Sequence, residues 1–341
     1  MNKRSPFARR FAVLTALLAL VAAAVLTGCS SNSQANVANE TSQVPVPVLV
    51  DNPQPKLPVT VTDVNNDEVT VKDTSRIVSL GGGISETLIA MGLGDKIVGR
   101  DVSSEVDELE GVTVVTNGHD ISAEGVLKLN PTVVIGDSRS GPPEALDALR
   151  KAGVPVVIVP EVWSLSEYEP RVQAIAHTVG MPDAAKVVTD HMNQGIEQAK
   201  AKTANHAKCT ANPNDPMTIA FLYLRGTASV YLLGGKKSGA DDLIASLGAQ
   251  DAGTKAGLET FTPLTPESLA KGQPDVILVM EKGLESVGGV DGLVAMPGVG
   301  QTPAGQNKRV IAMPDSELLS FGPRTPATLE RIADKLNGIC S

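Results

Sequence analysis

The stretch RIVSLGGGISETLIAMGLG (residues 76–94) decides the fold of this chain. Its β-branched start predicts a short buried strand, and ISETLIAMG, after the three glycines, has the apolar spacing of an amphipathic helix. Comparable strand and helix segments follow as far as residue 161, namely KIVGRD, SAEGVLKLN, PTVVIGDS, PPEALDALRKAG and VPVVIVPE. Such alternation predicts βα units that form a largely parallel sheet.

The same alternation resumes in the second half of the chain. Its segments are MTIAFLYLRG, SGADDLIASLGA, TPESLAKG, PDVILVME and a closing helix, TPATLERIADKLNG. Between the halves, residues 183–207 have a helical pattern, and Pro182 stands where a first helical turn tolerates proline. The sequence therefore predicts an α/β protein of two Rossmann-like lobes joined by a single long backbone helix. Ligands of open α/β sheets bind beyond the carboxyl ends of the strands, which places a site in the cleft between the lobes.

The predicted lobes have definite boundaries. The N-terminal lobe takes residues 58–180, the connecting helix 181–206 and the C-terminal lobe 207–341. The first lobe is preceded by two alternating β-rich runs, VTVTDVNNDEVTV, which predict a hairpin. Cys209 and Cys340 are either bridged, as is common for a pair of cysteines in an oxidising compartment, or two separate buried thiols.

The N-terminus has the features of an export signal. Residues 1–28 carry four basic side chains and no acidic one, followed by the apolar run FAVLTALLALVAAAVL. The run ends in Leu-Thr-Gly-Cys, which resembles the lipobox of bacterial lipoproteins, where the cysteine, here Cys29, is lipidated. The alternative is an uncleaved anchor with an incidental cysteine. Residues 29–57 are rich in Ser, Asn, Gln and Pro and predict a flexible tether.

Composition and motifs exclude several function classes. The chain has 29 Lys and Arg against 38 Asp and Glu, a net charge of -9, so nucleic acid is not an expected partner. Aromatic residues make up 3%, which argues against a stacking surface for bases or sugars. The sequence has no P-loop and no G-x-S-x-G elbow, and Ser85-Glu86 interrupts the dinucleotide-binding pattern after the glycine run. We therefore expect no enzymatic activity.

Several of these segments together resemble a known family. RIVSLGGGISETLIAMGLGDKIVG, SAEGVLKLNPTVVIGD, SGADDLIASLGAQDAG and FTPLTPESLAKGQPDVILV are similar to the helical-backbone substrate-binding proteins of ABC importers, which have the class III periplasmic-binding-protein fold. The resemblance covers residues 58–341. Within the family, NGHDISAEGVLKL and FLYLRGTASVYLLGG resemble the HmuT-type haem-binding lipoproteins.

The resemblance implies a role in iron acquisition. It implies a monomer, lipid-anchored to the outer face of the cytoplasmic membrane, that binds haem b (iron protoporphyrin IX) as a transported ligand. Its partners would be an ABC permease and the ATPase of that permease. The alternative within the same family is a receptor for a ferric siderophore or for cobalamin, which would contact an organic chelate and would not ligate iron directly.

Two residues are candidate ligands of the haem iron. His119 lies between Gly118 and Asp120, ahead of a helix that Ser122 is expected to cap, so it is on a loop. A neutral imidazole is a good iron ligand, although a lone loop histidine is more often merely solvated. Tyr223 lies near the end of a predicted strand, and tyrosine is a known haem ligand.

Arg225 follows Tyr223 by two positions, so the two side chains share one face of the strand. A guanidinium hydrogen-bonded to the phenol oxygen would stabilise the phenolate, and the haem-binding relatives carry Tyr and Arg at this spacing. The alternative is a core tyrosine with a satisfied hydroxyl.

Further residues are candidates for contacts with the porphyrin. Tyr231 follows a predicted turn, and Met280 closes a predicted strand, where core filling is an equally good interpretation. The propionates need cationic partners, for which Lys236, Lys237 and Arg139 stand on predicted loops, each more often a solvated charge.

The family docks on its permease through one acidic residue on each lobe. The resemblance assigns these to Glu86 and to Asp241 or Asp242, of which we favour Asp242, although relatives usually have Glu at that position. The alternative is two ordinary acids near the start of a helix, which the helix dipole favours.

Overall fold

The computed structural model describes residues 43–118, 120–203, 209 and 215–340. The first half of this chain contains a hairpin, a short second hairpin and a five-stranded parallel sheet. Its strands are β1 (Val59–Thr62), β2 (Glu68–Val71), β3 (Ile77–Leu80), β4 (Ile97–Arg100), β5 (Thr113–Val114), β6 (Thr116–Asn117), β7 (Asp120–Ile121), β8 (Val133–Gly136) and β9 (Val156–Ile158). The sheet has the order β5-β4-β3-β8-β9, β1 pairs with β2, and β6 pairs with β7. The predicted hairpin and parallel sheet are therefore present.

Helices cover both faces of this sheet. They are α1 (Gly82–Ala90), α2 (Ala123–Lys128), α3 (Pro143–Lys151) and α4 (Tyr168–Thr178). Ser122 caps α2 as expected, because its hydroxyl accepts the N–H of Gly125. All four residues of β3 and of β8 are buried, as is typical of central strands with helices on both sides.

The second half of the chain forms a mixed sheet. Its strands are β10 (Thr218–Arg225), β11 (Val230–Gly234), β12 (Gln250–Asp251), β13 (Phe261–Pro263), β14 (Val276–Met280) and β15 (Val310–Met313). The order is β13-β11-β10-β14-β15, and β12 pairs with the start of β10. Strands β10, β14 and β15 are parallel, whereas β11 returns antiparallel to β10. The carboxyl ends of β10, β14 and β15 therefore meet at one edge of the sheet.

In the described part of the chain, two long helices and six short ones accompany this sheet and the connection between the halves. They are α5 (Pro182–Thr203), α6 (Ala240–Ser246), α7 (Ala252–Lys255), α8 (Pro266–Gly272), α9 (Glu281–Ser286), α10 (Gly289–Ala295), α11 (Pro303–Gln306) and α12 (Thr325–Cys340). Helix α5 lies within the predicted connecting segment and packs against α12. A Cβ at Gly195 of α5 would lie 2.4 Å from Pro326 Cβ, so glycine allows this close approach. The architecture confirms the predicted fold class of two α/β lobes with a backbone helix.

A disulfide closes the second lobe. It joins Cys209 to Cys340, whose Cα atoms are 4.8 Å apart. Of the two alternatives for this pair, the bridge is the correct one. Because Cys340 is the last residue of α12, the bridge fixes the end of that helix to the chain that follows the connecting helix.

The predicted tether is shorter than residues 29–57. Val44 and Val46 are buried, and the N–H of Val44 donates to Glu317 Oε1 at 2.7 Å. The N–H of Val46 donates to Glu108 Oε1 at 2.8 Å. The prediction of a flexible tether does not hold at Val44 and Val46, which share one side of an extended segment and are both buried there, whereas Val48 is 58% exposed.

The remainder of the predicted tether, the leader and Cys29 lie outside the described residues. None of the helices in the part of the chain that the structure describes combines the length and the apolar character needed to cross a membrane.

Candidate ligand site

Tyr223 and Arg225 lie at the carboxyl end of β10, on one face of the strand, as predicted. The Arg225 guanidinium carbon lies 4.6 Å from the centroid of the Tyr223 ring, and the Phe261 ring centroid is 6.1 Å away on the same face. Among the described residues, no hydrogen bond joins Arg225 to the phenol oxygen. The expected hydrogen bond is thus replaced by stacking, in which the cation faces the electron-rich ring.

Arg225 is oriented by two further contacts. Its Nη1 donates to the carbonyl of Leu224 at 3.0 Å, and its Nη2 lies 3.4 Å from Asp315 Oδ1. The other carboxylate oxygen, Asp315 Oδ2, accepts the N–H of Lys282 at 3.1 Å, at the start of α9. Asp315 therefore links the end of β10 to the first turn of α9.

The hydroxyl of Tyr223 is available to a ligand. Tyr223 is half-buried, and its phenol oxygen has no hydrogen-bond partner among the described residues. Tyr168 shows the opposite behaviour, because its hydroxyl donates to Asn193 Oδ1 at 2.8 Å and burial raises its pKa to about 12. The core tyrosine with a satisfied hydroxyl is therefore Tyr168, whereas Tyr223 does not fit that description.

The other two candidates on this lobe lie on opposite faces of the sheet. Met280 ends β14 and is buried on the face that carries Tyr223, opposite Met313 of β15. Tyr231 pairs with Leu224 and packs with that residue on the other face. Directly paired residues of neighbouring strands share a face of the sheet, so this register places Tyr231 on the face opposite Tyr223. A contact of Tyr231 with the porphyrin stays a prediction.

The first lobe has a cavity of about 110 Å³ at the carboxyl ends of β3, β4 and β8. It is lined by Leu80, Gly81, Asp101, Ser103, Thr116, Gly118, Ile121, Asp137, Arg139 and Ser140. Gly118 has φ 61° and ends the described part of the β6–β7 connection. His119, the candidate ligand that follows Gly118 in sequence, lies outside the described residues.

Arg139 is already neutralised by acidic neighbours. It pairs with Asp137 at 2.7 Å and with Glu161 at 3.0 Å, and its guanidinium lies 5.2 Å from the Trp163 ring centroid. Burial lowers the pKa of Arg139, but the hydrogen bond and charge of Asp137 outweigh burial and leave the pKa raised. Two acids around one guanidinium do not favour a ligand carboxylate there. The other candidates for propionate contacts, Lys236 and Lys237, are exposed.

One ion pair connects the two lobes beside these elements. Lys282 Nζ of α9 contacts Glu105 Oε2, which lies two residues after the cavity residue Ser103. Both side chains are exposed. We call Arg225, Asp315, Lys282 and Glu105 the rim, because their contacts run without interruption from Tyr223 on one lobe to the loop beside the cavity on the other.

Glu86 is not an exposed docking residue. Its side chain is fully buried, and its Oε1 accepts from Arg324 Nε at 2.8 Å across the lobe boundary. Burial raises the pKa of Glu86, and the charge of Arg324 lowers it part of the way back. The prediction that Glu86 docks on a permease is therefore wrong, since a carboxylate without solvent exposure cannot meet a partner protein.

Arg171 lies beside this pair. Its Nη2 donates to the carbonyl oxygens of Ser320 and Phe321 at 2.9 and 2.6 Å, and burial lowers its pKa to about 10. We call Glu86, Arg171 and Arg324 the joint. The joint holds α1 and α4 of the first lobe against residues 316–324 of the second.

The second-lobe docking candidates also have internal partners. Asp242 is half-buried, and its Oδ2 accepts the N–H of Leu165, a residue of the first lobe, at 3.1 Å. Asp241 accepts the N–H groups of Lys237 and Gly239 at 2.8 and 3.1 Å. One oxygen of the Asp242 carboxylate therefore makes a contact between the lobes, and docking of Asp242 on the permease stays a prediction.

Sequence reasoning missed the rim acids and the arginines of the joint. Arg171 and Arg324 lie in polar stretches, where an arginine is normally solvated, and only the packing of the lobes buries them. Asp315 could have been predicted as a site residue from the sequence, because it follows the β-rich run VIAM and a proline, at the carboxyl end of a strand.

Comparisons with known proteins agree with this architecture. The model of the periplasmic binding protein family matches residues 77–317. The crystal structure of the haem-binding protein HmuT has a TM-score of 0.78 and 40% identity, covering 86% of this chain and 94% of that chain. HmuT has also been solved with a tyrosine, an arginine two positions after it, or a histidine replaced by alanine.

Two other relatives extend the comparison. The periplasmic haem-binding protein RhuT from Roseiflexus sp. RS-1 has a TM-score of 0.71 and 38% identity, covering 79% of this chain and all (100%) of that chain. YvrC of Bacillus subtilis (strain 168), an uncharacterized ABC transporter substrate-binding lipoprotein, is 25% identical over 326 residues, 93% of this chain and 94% of its own length. The chain therefore belongs to the periplasmic binding protein family, and most of its length is similar to HmuT.

Proposed function

We propose that this protein binds haem b between its two lobes and delivers it to an ABC permease and the ATPase of that permease. It would act as a monomer, anchored through a lipid on Cys29 at the outer face of the cytoplasmic membrane. The family supports a transport role, and the lipoprotein YvrC supports the anchor. We infer no enzymatic activity.

The observation that carries the proposal is the state of Tyr223. A half-buried phenol that has no hydrogen-bond partner among the described residues, stacked on a guanidinium at the carboxyl end of β10, is well placed to act as an iron ligand. Tyrosine is a known ligand of haem iron, and the Arg225 guanidinium beside the ring would pair with the negative charge of an iron-bound phenolate. The residues present therefore fit a ferric porphyrin.

The solved variants of HmuT support the same pair. The tyrosine and arginine replaced in that protein are two positions apart, as are Tyr223 and Arg225 here. A histidine was replaced as well, which supports His119 as the ligand from the first lobe. In sequence His119 directly follows Gly118, which lines the cavity of that lobe. Met280, on the face that carries Tyr223, would contact the porphyrin edge.

A haemin titration tests the proposal. Wild-type protein should develop a phenolate-to-iron charge-transfer band, and Tyr223→Phe should lose it and bind haemin roughly 10- to 100-fold more weakly, as expected for one charge-assisted contact. Tyr168→Phe is the matched control, because it removes a phenol oxygen that is already paired with Asn193 of the connecting helix.

The alternatives give different results. His119→Ala should leave the band and weaken binding. An unchanged spectrum in both Tyr223→Phe and His119→Ala would exclude this ligand pair. Binding of cobalamin or a ferric siderophore by a protein that ignores haemin would favour the other receptor class of this family.

A further inference from the structure

Asp315 has a position that the ligand proposal does not explain. It is half-buried and follows Met313 and Pro314 at the carboxyl end of β15. One carboxylate oxygen faces Arg225 at 3.4 Å, and the other accepts the N–H of Lys282 at 3.1 Å. A single side chain therefore touches both the partner of Tyr223 and the first turn of α9.

Arg225 needs such a contact to stay over the Tyr223 ring. Within the described part of the chain, its other polar contact is with Leu224, its own neighbour in the strand, which moves with Arg225 and does not fix the guanidinium relative to other elements. The side chain is 37% exposed, so water competes for it, and a long flexible side chain loses entropy when it is held in one position. The Asp315 carboxylate, which is only 15% exposed, offers a fixed charge from a different strand.

The same carboxylate acts on the contact between the lobes. Lys282 projects from the turn that Asp315 holds, and its Nζ reaches Glu105 of the first lobe. Helix α9 has only six residues, so its first turn depends on contacts of this kind. Any shift of Asp315 therefore changes the position of the Arg225 guanidinium over Tyr223. It also changes the position of Lys282, which forms the ion pair with Glu105 across the cleft.

We propose that Asp315 is the positioning residue of the ligand site, holding Arg225 against Tyr223 and Lys282 at its contact with Glu105. The proposal rests on the proposed function, because it assigns Asp315 a role at the same site. Asp315 does not touch the haem; it acts through Arg225.

The test is a double-mutant cycle on haemin release. Asn keeps an oxygen that can accept the Lys282 N–H, so Asp315→Asn removes the charge facing Arg225 and leaves the Lys282 contact in place. Asp315→Asn and Arg225→Ala should each speed transfer of haemin to apomyoglobin about 5- to 10-fold, and the double variant should be no faster than Arg225→Ala alone. The phenolate-to-iron band should shift in Asp315→Asn. Asp291→Asn is the control, since Asp291 is an exposed acid of the same lobe paired with Lys308.

A second readout uses the protein without haem. The Arg225 Nε–H signal in a nitrogen-15 spectrum, assigned by its loss in Arg225→Lys, should be sharp in the wild type and broadened in Asp315→Asn. Asp315→Ser keeps an oxygen for the Lys282 N–H and should broaden the Arg225 signal in the same way. The unfolding temperature of each variant distinguishes loss of this contact from loss of the fold.

Additive effects in the cycle, or an unchanged Arg225 signal in both Asp315 variants, would overturn the proposal. A wild-type protein that shows no phenolate band would instead overturn the ligand assignment of Tyr223, whereas the haem-free spectrum would still decide the role of Asp315.

Discussion

At the joint, Glu86 and Arg324 are 0% and 1% exposed, whereas at the rim Glu105 and Lys282 are 47% and 62% exposed. Both are ion pairs between the two lobes, yet their physical consequences differ. Removing one partner of a buried pair leaves an uncompensated charge in a medium that cannot solvate it, whereas an exposed pair contributes little to stability. We therefore expect the joint to contribute much to folding stability and the rim pair to contribute little.

Breaking the joint should have the largest effect. Glu86→Gln removes the buried negative charge and leaves Arg324 without its partner, so we expect the free energy of unfolding to fall by about 3–5 kcal/mol. Denaturant unfolding of the haem-free protein measures it. Glu124→Gln is the control, because Glu124 forms an exposed pair with Lys128 at 2.7 Å within one helix, and it should change stability by less than about 0.5 kcal/mol.

A Glu86→Gln variant as stable as the wild type would contradict the assignment of stability to the joint. It would also show that the Glu86 carboxylate does not stabilise the fold, and docking of Glu86 on a partner would then need a direct test.

The disulfide between Cys209 and Cys340 should be a second contribution to the stability of the second lobe, in addition to the joint. Replacing both Cys209 and Cys340 by serine should lower the free energy of unfolding by about 2–4 kcal/mol, because the bridge closes a long loop in the unfolded chain. Unfolding of the oxidised wild type, the reduced wild type and the double variant checks this. If the reduced and oxidised proteins unfold at the same denaturant concentration, the bridge does not stabilise the lobe.

The fold was predictable from the sequence because its signals are local. The β-branched runs and helix periodicities around residues 76–94 and 217–226 produce buried strands and the helices beside them, and these are the features that periodicity reports. The pairing of Tyr223 with Arg225 was equally accessible, since residues two apart in a strand share a face whatever the tertiary structure.

The contacts that the sequence did not indicate share a different cause. Glu86, Asp242 and Tyr231 each have ordinary local surroundings in the sequence, and their contacts depend on what packs against them from other parts of the chain. Arg324, which buries Glu86, is 238 residues away, and Leu165, which binds Asp242, is 77 residues away. Periodicity carries no information about such partners. The sequence predicted the turn before Tyr231 but not the register of β11, which places Tyr231 on the face opposite Tyr223.

The smallest effect on stability is expected at the rim, and it sharpens the comparison most. Lys282→Met should lower the free energy of unfolding by less than about 1 kcal/mol, because both members of its pair are exposed. It should nevertheless speed haemin release about threefold to fivefold, since the lost contact spans the two lobes beside the ligand, and about 1 kcal/mol corresponds to roughly fivefold.

Lys308→Met is the matched control for this variant. Lys308 pairs with Asp291 at 2.6 Å and has nearly the same exposure as Lys282, 61% against 62%, but both partners belong to one lobe. Removing that pair should leave haemin release unchanged, because it holds no part of the cleft. Equal release rates for the two variants would show that the rim pair does not act across the cleft, and a stability loss in Lys282→Met as large as that of Glu86→Gln would remove the distinction between joint and rim.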